Sequence, residues 1–316
     1  MNRVVVVIAI LVAVGAIAFA YLRPARGPKS VPGAGGGLPV VYTTFYPTEY
    51  WAERLGRGFV DVHCPVPEDE DPIFWEPTPA EIAAFQKADL IIVNGASFEK
   101  WIAQATLPTG RVVDTALPFA SEFITFEKAT THSHGPKGEH THAGIDGHTW
   151  LDPNLAKIQA GEVLAALARL VPQHADELRA RHQALVKDLD DLDRALRSLA
   201  PRTPGQWLLA SHPAYNYLAR RYDWKIANLD LDPEQMPDEA ALTQIGAVLA
   251  QQSARAIIWE SAPDPEIADR LRERFDLESF VVSPCELLGA MERKAGVDYI
   301  GVMKTNVDAL RAAFAL

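Results

Sequence analysis

The sequence predicts an α/β protein of two lobes with parallel sheets joined by a long helix. Three observations carry that reading. The 316 residues suit about two domains of ~150 residues each. Strand-like and helix-like segments alternate in two separate stretches of the chain. Between those stretches lies one leucine-striped segment that reads as a single long helix. Hydrophobic residues at 48% and charged residues at 22% fit a folded, mostly soluble body. A formal net charge of −11 leaves no cationic surface for a phosphate backbone, so nucleic acid is excluded as a partner.

Taken in order, residues 4–20 are uncharged and apolar, follow Arg3 and end in Ala18-Phe19-Ala20, a small-x-small cleavage pattern. The run continues through Tyr21 and Leu22. Residues 1–22 are therefore expected to be either a cleaved secretory signal or an uncleaved membrane anchor through residues 4–22. Either way the body is exported. No cysteine stands near residue 20 to take a lipid. Residues 23–38, rich in Pro and Gly, read as a flexible tether.

The first lobe is expected over 39–153. Val40 to Phe45 is β-branched and aromatic, Thr48 to Arg57 reads as a helix, and Val60-Asp61-Val62 as a strand. Thr78 then opens a helix from Pro79 to Ala88, and Leu90-Ile91-Ile92-Val93 reads as a fully buried strand. Residues 119–147 break the alternation and read as a polar surface loop. Over 154–200, Leu178, His182, Leu185, Leu189, Leu192, Leu196 and Leu199 step by three and four along one helix face. Unbroken, that linking helix would run ~70 Å, although Pro172 must kink it or start a second segment. The second lobe, 201–316, repeats the alternation. Strands are expected at Trp207–Ala210, Ala256–Trp259 and Ser279–Val282, with helices at Ala214–Tyr222, Asp238–Gln252, Pro265–Phe275 and Asp298–Phe314.

Chemistry concentrates in three places. Five of the nine histidines, His132, His134, His140, His142 and His148, fall within residues 132–148, with Asp146 and Asp152 near them. Imidazoles on a polar loop capture zinc-like ions weakly without a preformed cage. His148 differs because Thr149-Trp150-Leu151-Asp152-Pro153 frames it. His212 stands where a buried strand passes into a helix, the sheet edge at which α/β proteins bind ligands. Glu260 and Glu286 follow strands at comparable edges, either as metal donors or as solvated carboxylates.

These segments together resemble the periplasmic zinc- and manganese-binding proteins of ABC transporters, the cluster A-I solute-binding family. The resemblance runs from about Val40 to Leu310 and rests on Val40-Val41-Tyr42-Thr43-Thr44-Phe45-Tyr46-Pro47, Asp71-Pro72-Ile73-Phe74-Trp75-Glu76-Pro77-Thr78-Pro79 and Ala88 to Gly95. It continues through Gly147-His148-Thr149-Trp150-Leu151-Asp152-Pro153, Ser211 to Ala219, Ile257-Ile258-Trp259-Glu260, and the closing Tyr299, Met303 and Asn306. The family implies two lobes on one rigid helix with the metal in the cleft between them. By motif position it implies His148 and His212 as ligands, with Glu286 as the second-lobe carboxylate. Zn²⁺ is the expected metal, with Mn²⁺ or another divalent transition metal as the alternative.

One position departs from the family. Its D-P-H-x-Y-x-P-T-P pattern has Ile73 in place of the first-lobe histidine, and isoleucine binds no metal. Glu70, Asp71, Cys64, a water or a loop histidine is then the replacement, within an acidic lip that raises local cation concentration. Cys64 and Cys285 each follow an expected strand, one per lobe. They are either bridged across the cleft, or thiolate ligands for the missing histidine, or two unrelated thiols. The resemblance implies a monomeric extracytoplasmic carrier that is no enzyme and hands its metal to an ABC permease. A metal buffer, chaperone or adhesin of the same fold is the alternative, and a metallohydrolase a remote one, because H-E-x-x-H, G-x-S-x-G and P-loop motifs are absent.

Overall fold

The computed structural model describes residues 37–68, 70–126, 144–199, 201 and 205–316, and the backbone of 130–133 and 139–142. Residues 1–22, nearly all of the tether 23–38, and His134 lie outside the described residues. Among the described residues no helix is long and apolar enough to cross a membrane.

In the first lobe, β1 (Val40–Thr43), β2 (Asp61–His63), β3 (Leu90–Val93) and β4 (Val112–Asp114) form a parallel sheet in the order β2-β1-β3-β4. Every residue of β3 is buried, as its uninterrupted apolar run requires. Helix α1 (Tyr46–Gly56) starts on Pro47, whose fixed φ suits a first turn. Helix α2 (Pro79–Lys87) opens on a capping box between Thr78 and Glu81. The sequence reading missed β4, a three-residue edge strand.

The second lobe holds β7 (Trp207–Ala210), β8 (Lys225–Asn228), β9 (Ala254–Trp259) and β10 (Glu278–Val281), parallel in the order β10-β9-β7-β8. Its helices are α5 (Asn216–Tyr222), α6 (Glu239–Leu249), α7 (Pro265–Phe275), α8 (Ala290–Lys294) and α9 (Tyr299–Phe314). In this sheet the strand order reverses between β7 and β9, and the carboxyl ends at such a point open a crevice for ligand. His212 lies two residues past β7 and Glu260 directly follows β9.

Two expectations are corrected here. The stretch 119–147 is more than a loop: β5 (Thr130–Ser133) and β6 (Glu139–His142) pair antiparallel, with His132 opposite His140. Nor is 154–200 one helix. Helix α3 (Pro153–Leu170) ends at Val171, a 3₁₀ turn spans Pro172–His174, and α4 covers Ala175–Arg197. Pro172 has no N–H to give the preceding turn, so the hydrogen-bond ladder stops there. The element that reaches both lobes is therefore the 23-residue α4, about 34 Å at 1.5 Å per residue.

Helix α4 buries Leu178, Leu185, Leu189, Leu192 and Leu196. Near its start Arg181 donates to the carbonyls of Leu55 and Arg57 at 3.0 and 2.8 Å, in the first lobe. Near its end Asp193 accepts from Arg221 Nε and Tyr222 OH of the second lobe, both at 2.8 Å. One core runs through the whole arrangement, joining Val41 and Trp51, Trp150, the α4 leucines, Leu208, Ile258, Val282 and Met303.

Candidate metal centre

His148 enters the cleft on a short segment that its neighbours hold from behind. Buried Glu99 accepts from Thr44 Oγ1 at 2.5 Å and from the N–H groups of Asn94 and Gly95 at 2.6 and 3.2 Å, fixing the turn after β3. Asn94 Nδ2 then donates to Gly147 O at 2.9 Å, and Thr149 Oγ1 donates to Asn94 Oδ1 at 3.2 Å. A Cβ on Gly147 would meet Phe98 Cβ and Cδ2 at 3.0 Å, so any side chain there must push Phe98 back by a few tenths of an ångström.

The loop that carries Glu286 is fastened from both sides. Trp150 Nε1 donates to Pro284 O at 2.7 Å and the Tyr46 N–H donates to Glu286 O at 3.1 Å, both from the first lobe. From the second lobe, Asn306 Oδ1 accepts from Ser283 N at 2.9 Å while its Nδ2 donates to Ser283 O at 2.6 Å. Cys285 sits at φ +61°, in the left-handed region, and so turns the chain immediately before Glu286. The matched Trp150 and Asn306 thus shape the donor loop.

Among the described residues, one group of possible metal donors forms: His148, His212 and Glu286 each offer a ligand atom, and those atoms lie within 4.8 Å of one another. Both imidazoles are buried, and their rings stand edge to face with centroids 5.6 Å apart. Nε2 of His148 lies 3.0 Å from Glu286 Oε1, and its Nδ1 lies 2.7 Å from Asp146 Oδ1. Nδ1 of His212 lies 3.6 Å from Glu260 Oε2. The hydrogen-bonded carboxylate at His148 Nδ1 is the arrangement that fixes ring orientation and raises ligand basicity in metal sites, whereas Glu260 faces His212 Nδ1 as an ionic neighbour beyond hydrogen-bond distance.

The electrostatics are those of a crowded anionic cleft. Burial by itself would lower the His148 pKa, but the Asp146 charge and hydrogen bond, then those of Glu286, lift it to about 10. Burial, followed by the Glu286 charge, raises Asp71 to about 7. Burial, then Glu286 and Asp71, raise Glu260 to about 8. Carboxyls that share so little water resist ionising together, and a divalent cation among them removes that conflict.

The other sequence candidates separate. Asp71 accepts the Ile73 N–H at 2.8 Å and lies within the field of Glu286 and His148. Ile73 is buried and shares a small cavity wall with Phe98, Lys100 and His148. Glu70, which is half-buried, falls outside the donor group, as do Asp71 and Glu260. The bridge between Cys64 and Cys285 is not formed, and both cysteines are free. Cys64 packs with the aromatic cluster of Trp75, Phe85 and Trp101, whereas Cys285 is embedded in the central core. Burial, then the Glu49 charge, pushes the Cys64 thiol up to about 12, and burial raises Cys285 as well, so neither presents a thiolate at neutral pH. For His132, His140 and His142 the backbone pairing is all that is described.

Sequence reasoning gave no role to Asp146. Its signal was the Asp-Gly-His spacing, which lets a carboxylate turn back onto the ring two residues later.

Residues 41–313 match the family model described as ZnuA, zinc-uptake complex component A, periplasmic. The chain is 30% identical over 284 residues to the high-affinity zinc uptake system protein ZnuA of Bacillus subtilis (strain 168), covering 86% of each. It is 25% identical over 283 residues to the zinc-binding lipoprotein AdcA of Streptococcus pneumoniae (strain ATCC BAA-255 / R6). That match covers 88% of this chain and 56% of AdcA, so the chain spans about half the length of that relative. Among solved structures it is similar to the metal-dependent lipoprotein YcdH of Bacillus subtilis, with TM-score 0.75 and 27% identity over 89% of this chain and 100% of that one. The Zn(II)-bound ZnuA-like domain of Streptococcus pneumoniae AdcA aligns with TM-score 0.75 and 22% identity, over 89% of this chain and 100% of the domain, a likeness of fold.

Proposed function

The chain belongs to the ZnuA family of periplasmic zinc-uptake components, and from that premise we propose that it is the extracytoplasmic solute-binding protein of an ABC importer, with Zn²⁺ as its cargo. One observation carries the reading to this chain's own residues: His148, His212 and Glu286 bring ligand atoms within 4.8 Å of one another from separate segments of the fold. Two imidazoles and a carboxylate suit Zn²⁺ better than the oxygen-rich sets that hold Ca²⁺ or Mg²⁺.

In this reading Asp71 supplies the fourth donor, taking the place left by Ile73. It is the acidic group of the lip that feels both Glu286 and His148. Asp146 stands behind the His148 ring and orients it, and Glu260 adds a negative charge beside His212. His132, His134, His140 and His142 act ahead of the site, as a weak first catcher that raises zinc concentration at the cleft. The apolar segment 4–22 brings the chain to the outer side of the cytoplasmic membrane, and a permease that parts the lobes receives the ion. A site whose metal is held by four protein donors carries its ion and leaves no position for an activated water.

The test is competitive zinc titration of the full chain against a chelator. One tight equivalent is expected, and it survives deletion of residues 132–142. His148→Ala or His212→Ala is expected to cost more than the ~10–100-fold typical of outer partners of a metal site. Binding that is lost with the loop and untouched by either point change would refute the cleft site.

A further inference from the structure

The Asp146 carboxylate is fully buried and serves two lobes at once. Its Oδ1 accepts both Nδ1–H of His148 at 2.7 Å and the His148 backbone N–H at 3.0 Å. Its Oδ2 accepts from Asn216 Nδ2 at 2.9 Å. Asn216 opens α5 in the second lobe, four residues after His212. Its amide is held in turn by Pro213 O at 3.2 Å and by Asn228 Nδ2, which donates to Asn216 Oδ1 at 2.9 Å. The next residue, Tyr217, donates its hydroxyl to Asp146 O at 3.0 Å and packs among Ala96, Ala116, Phe119 and Leu155 of the first-lobe side.

We propose that Asp146 and Asn216 form an interlobe latch, in which the second lobe's amide clamps the carboxylate that aims His148, so that this imidazole is set for zinc while the lobes are in contact. The inference rests on the zinc-carrier reading and extends it to release. A carboxylate anchored through both oxygens has its plane fixed, and the ring bonded to it shares that restraint. Parting the lobes removes the Asn216 donor, which leaves a buried oxygen unsatisfied and the carboxylate free to turn. His148 then loses its aim without any contact to the ion being broken directly. Linkage makes the effect mutual: zinc bound to an aimed His148 favours the docked lobes, and docking favours zinc. Asn216 is thus a positioning residue that touches no metal.

The experiment measures zinc dissociation from the full chain into excess chelator for wild type, Asn216→Ala, Asp146→Asn and the double variant, beside the Co²⁺ absorption spectrum of each. Asn216→Ala is expected to raise the dissociation rate about five- to tenfold, as loss of one charge-assisted hydrogen bond implies. Its Co²⁺ spectrum is expected to change, although the residue is no ligand. Asp146→Asn is expected to cost ~10–100-fold, with the double variant no worse than Asp146→Asn alone, because the two act through one bond. A wild-type rate and spectrum in Asn216→Ala, or additive effects in the double variant, would overturn the latch. If Asp146→Asn does not fold, the Asn216→Ala rate and spectrum decide alone. Failure of the wild-type chain to hold zinc would defeat the carrier reading and the latch together; tight wild-type binding with an unmoved Asn216→Ala would defeat the latch only.

Discussion

At the residue scale, the proposed site sets protons and zinc in competition for one nitrogen, Nε2 of His148. Without metal, the His148 ring sits near pKa 10, above its ordinary 6.5, because Asp146 and Glu286 outweigh burial. Below that pKa the ring carries a proton that zinc must displace. Affinity therefore rises with pH, about tenfold per unit from this group, and the rise ends as pH passes through about 10. Asp71, raised to about 7, adds a second proton to displace below that pH if it binds as a carboxylate, so the slope steepens there. Chelator competition across about pH 6 to 8 reads both effects, and an affinity flat in pH would contradict them. Asp71→Asn keeps the shape and removes the charge. It is expected to weaken zinc at least ~10-fold at neutral pH and to flatten the added slope, whereas Glu70→Gln on the half-buried lip is expected to do neither.

At the element scale, α4 is the member that both lobes lean on. Leu185 and Leu189 are fully buried between them, so Leu189→Ala is expected to cost about 2–5 kcal/mol of stability, measured by denaturant unfolding. Substituting Arg194 or Lys187, which pair with Asp191 on the solvent face, is expected to leave the unfolding midpoint essentially where it is, because exposed pairs are screened by solvent. The same helix shows what sequence makes legible. Its leucine steps are readable because a helix buries one stripe, and Pro172 marks the break, but a periodicity does not say that α3 ends there and α4 sets off afresh. Buried parallel strands such as β3 are legible as continuous apolar runs. The short strands β4 and β8 are not, since three or four residues hold too little pattern. His148 and His212 stand out in the sequence because short motifs frame them, and Glu286 because it follows a strand, and the fold brings the three together. Asp146 meets the His148 ring two residues on, a spacing that is readable in the sequence, but its bond to Asn216, 70 positions away, is a contact no local pattern encodes.

At the scale of the whole molecule, the question is how far the lobes move. A hinge of two independent bodies would show two cores with a bare strip between them. Here each lobe has a smaller cluster of its own, but the main buried cluster passes from Val41 and Trp51 through Leu185 and Leu189 to Leu208 and Met303, and packed cores resist continuous deformation. Trp150 and Tyr46 also bond the Glu286 loop across the cleft, and Arg221 reaches over to Asp152 at 3.2 Å. Opening must therefore be small and confined to the cleft side, where Asn216, Pro284 and Glu286 meet the first lobe. Small-angle scattering of the chain with and without zinc is expected to differ in radius of gyration by less than about 1 Å, the scale of pre-organised binding. Thermal unfolding is expected to remain a single transition in both states. It should move up with zinc by the linkage amount, about 2.7 kcal/mol when free zinc is ~100 times Kd. Two transitions, or a contraction of several ångströms on binding, would mean that the shared core does not couple the lobes. A single transition that zinc raises, with scattering unchanged, places the mobility needed for release in the few bonds that cross the cleft.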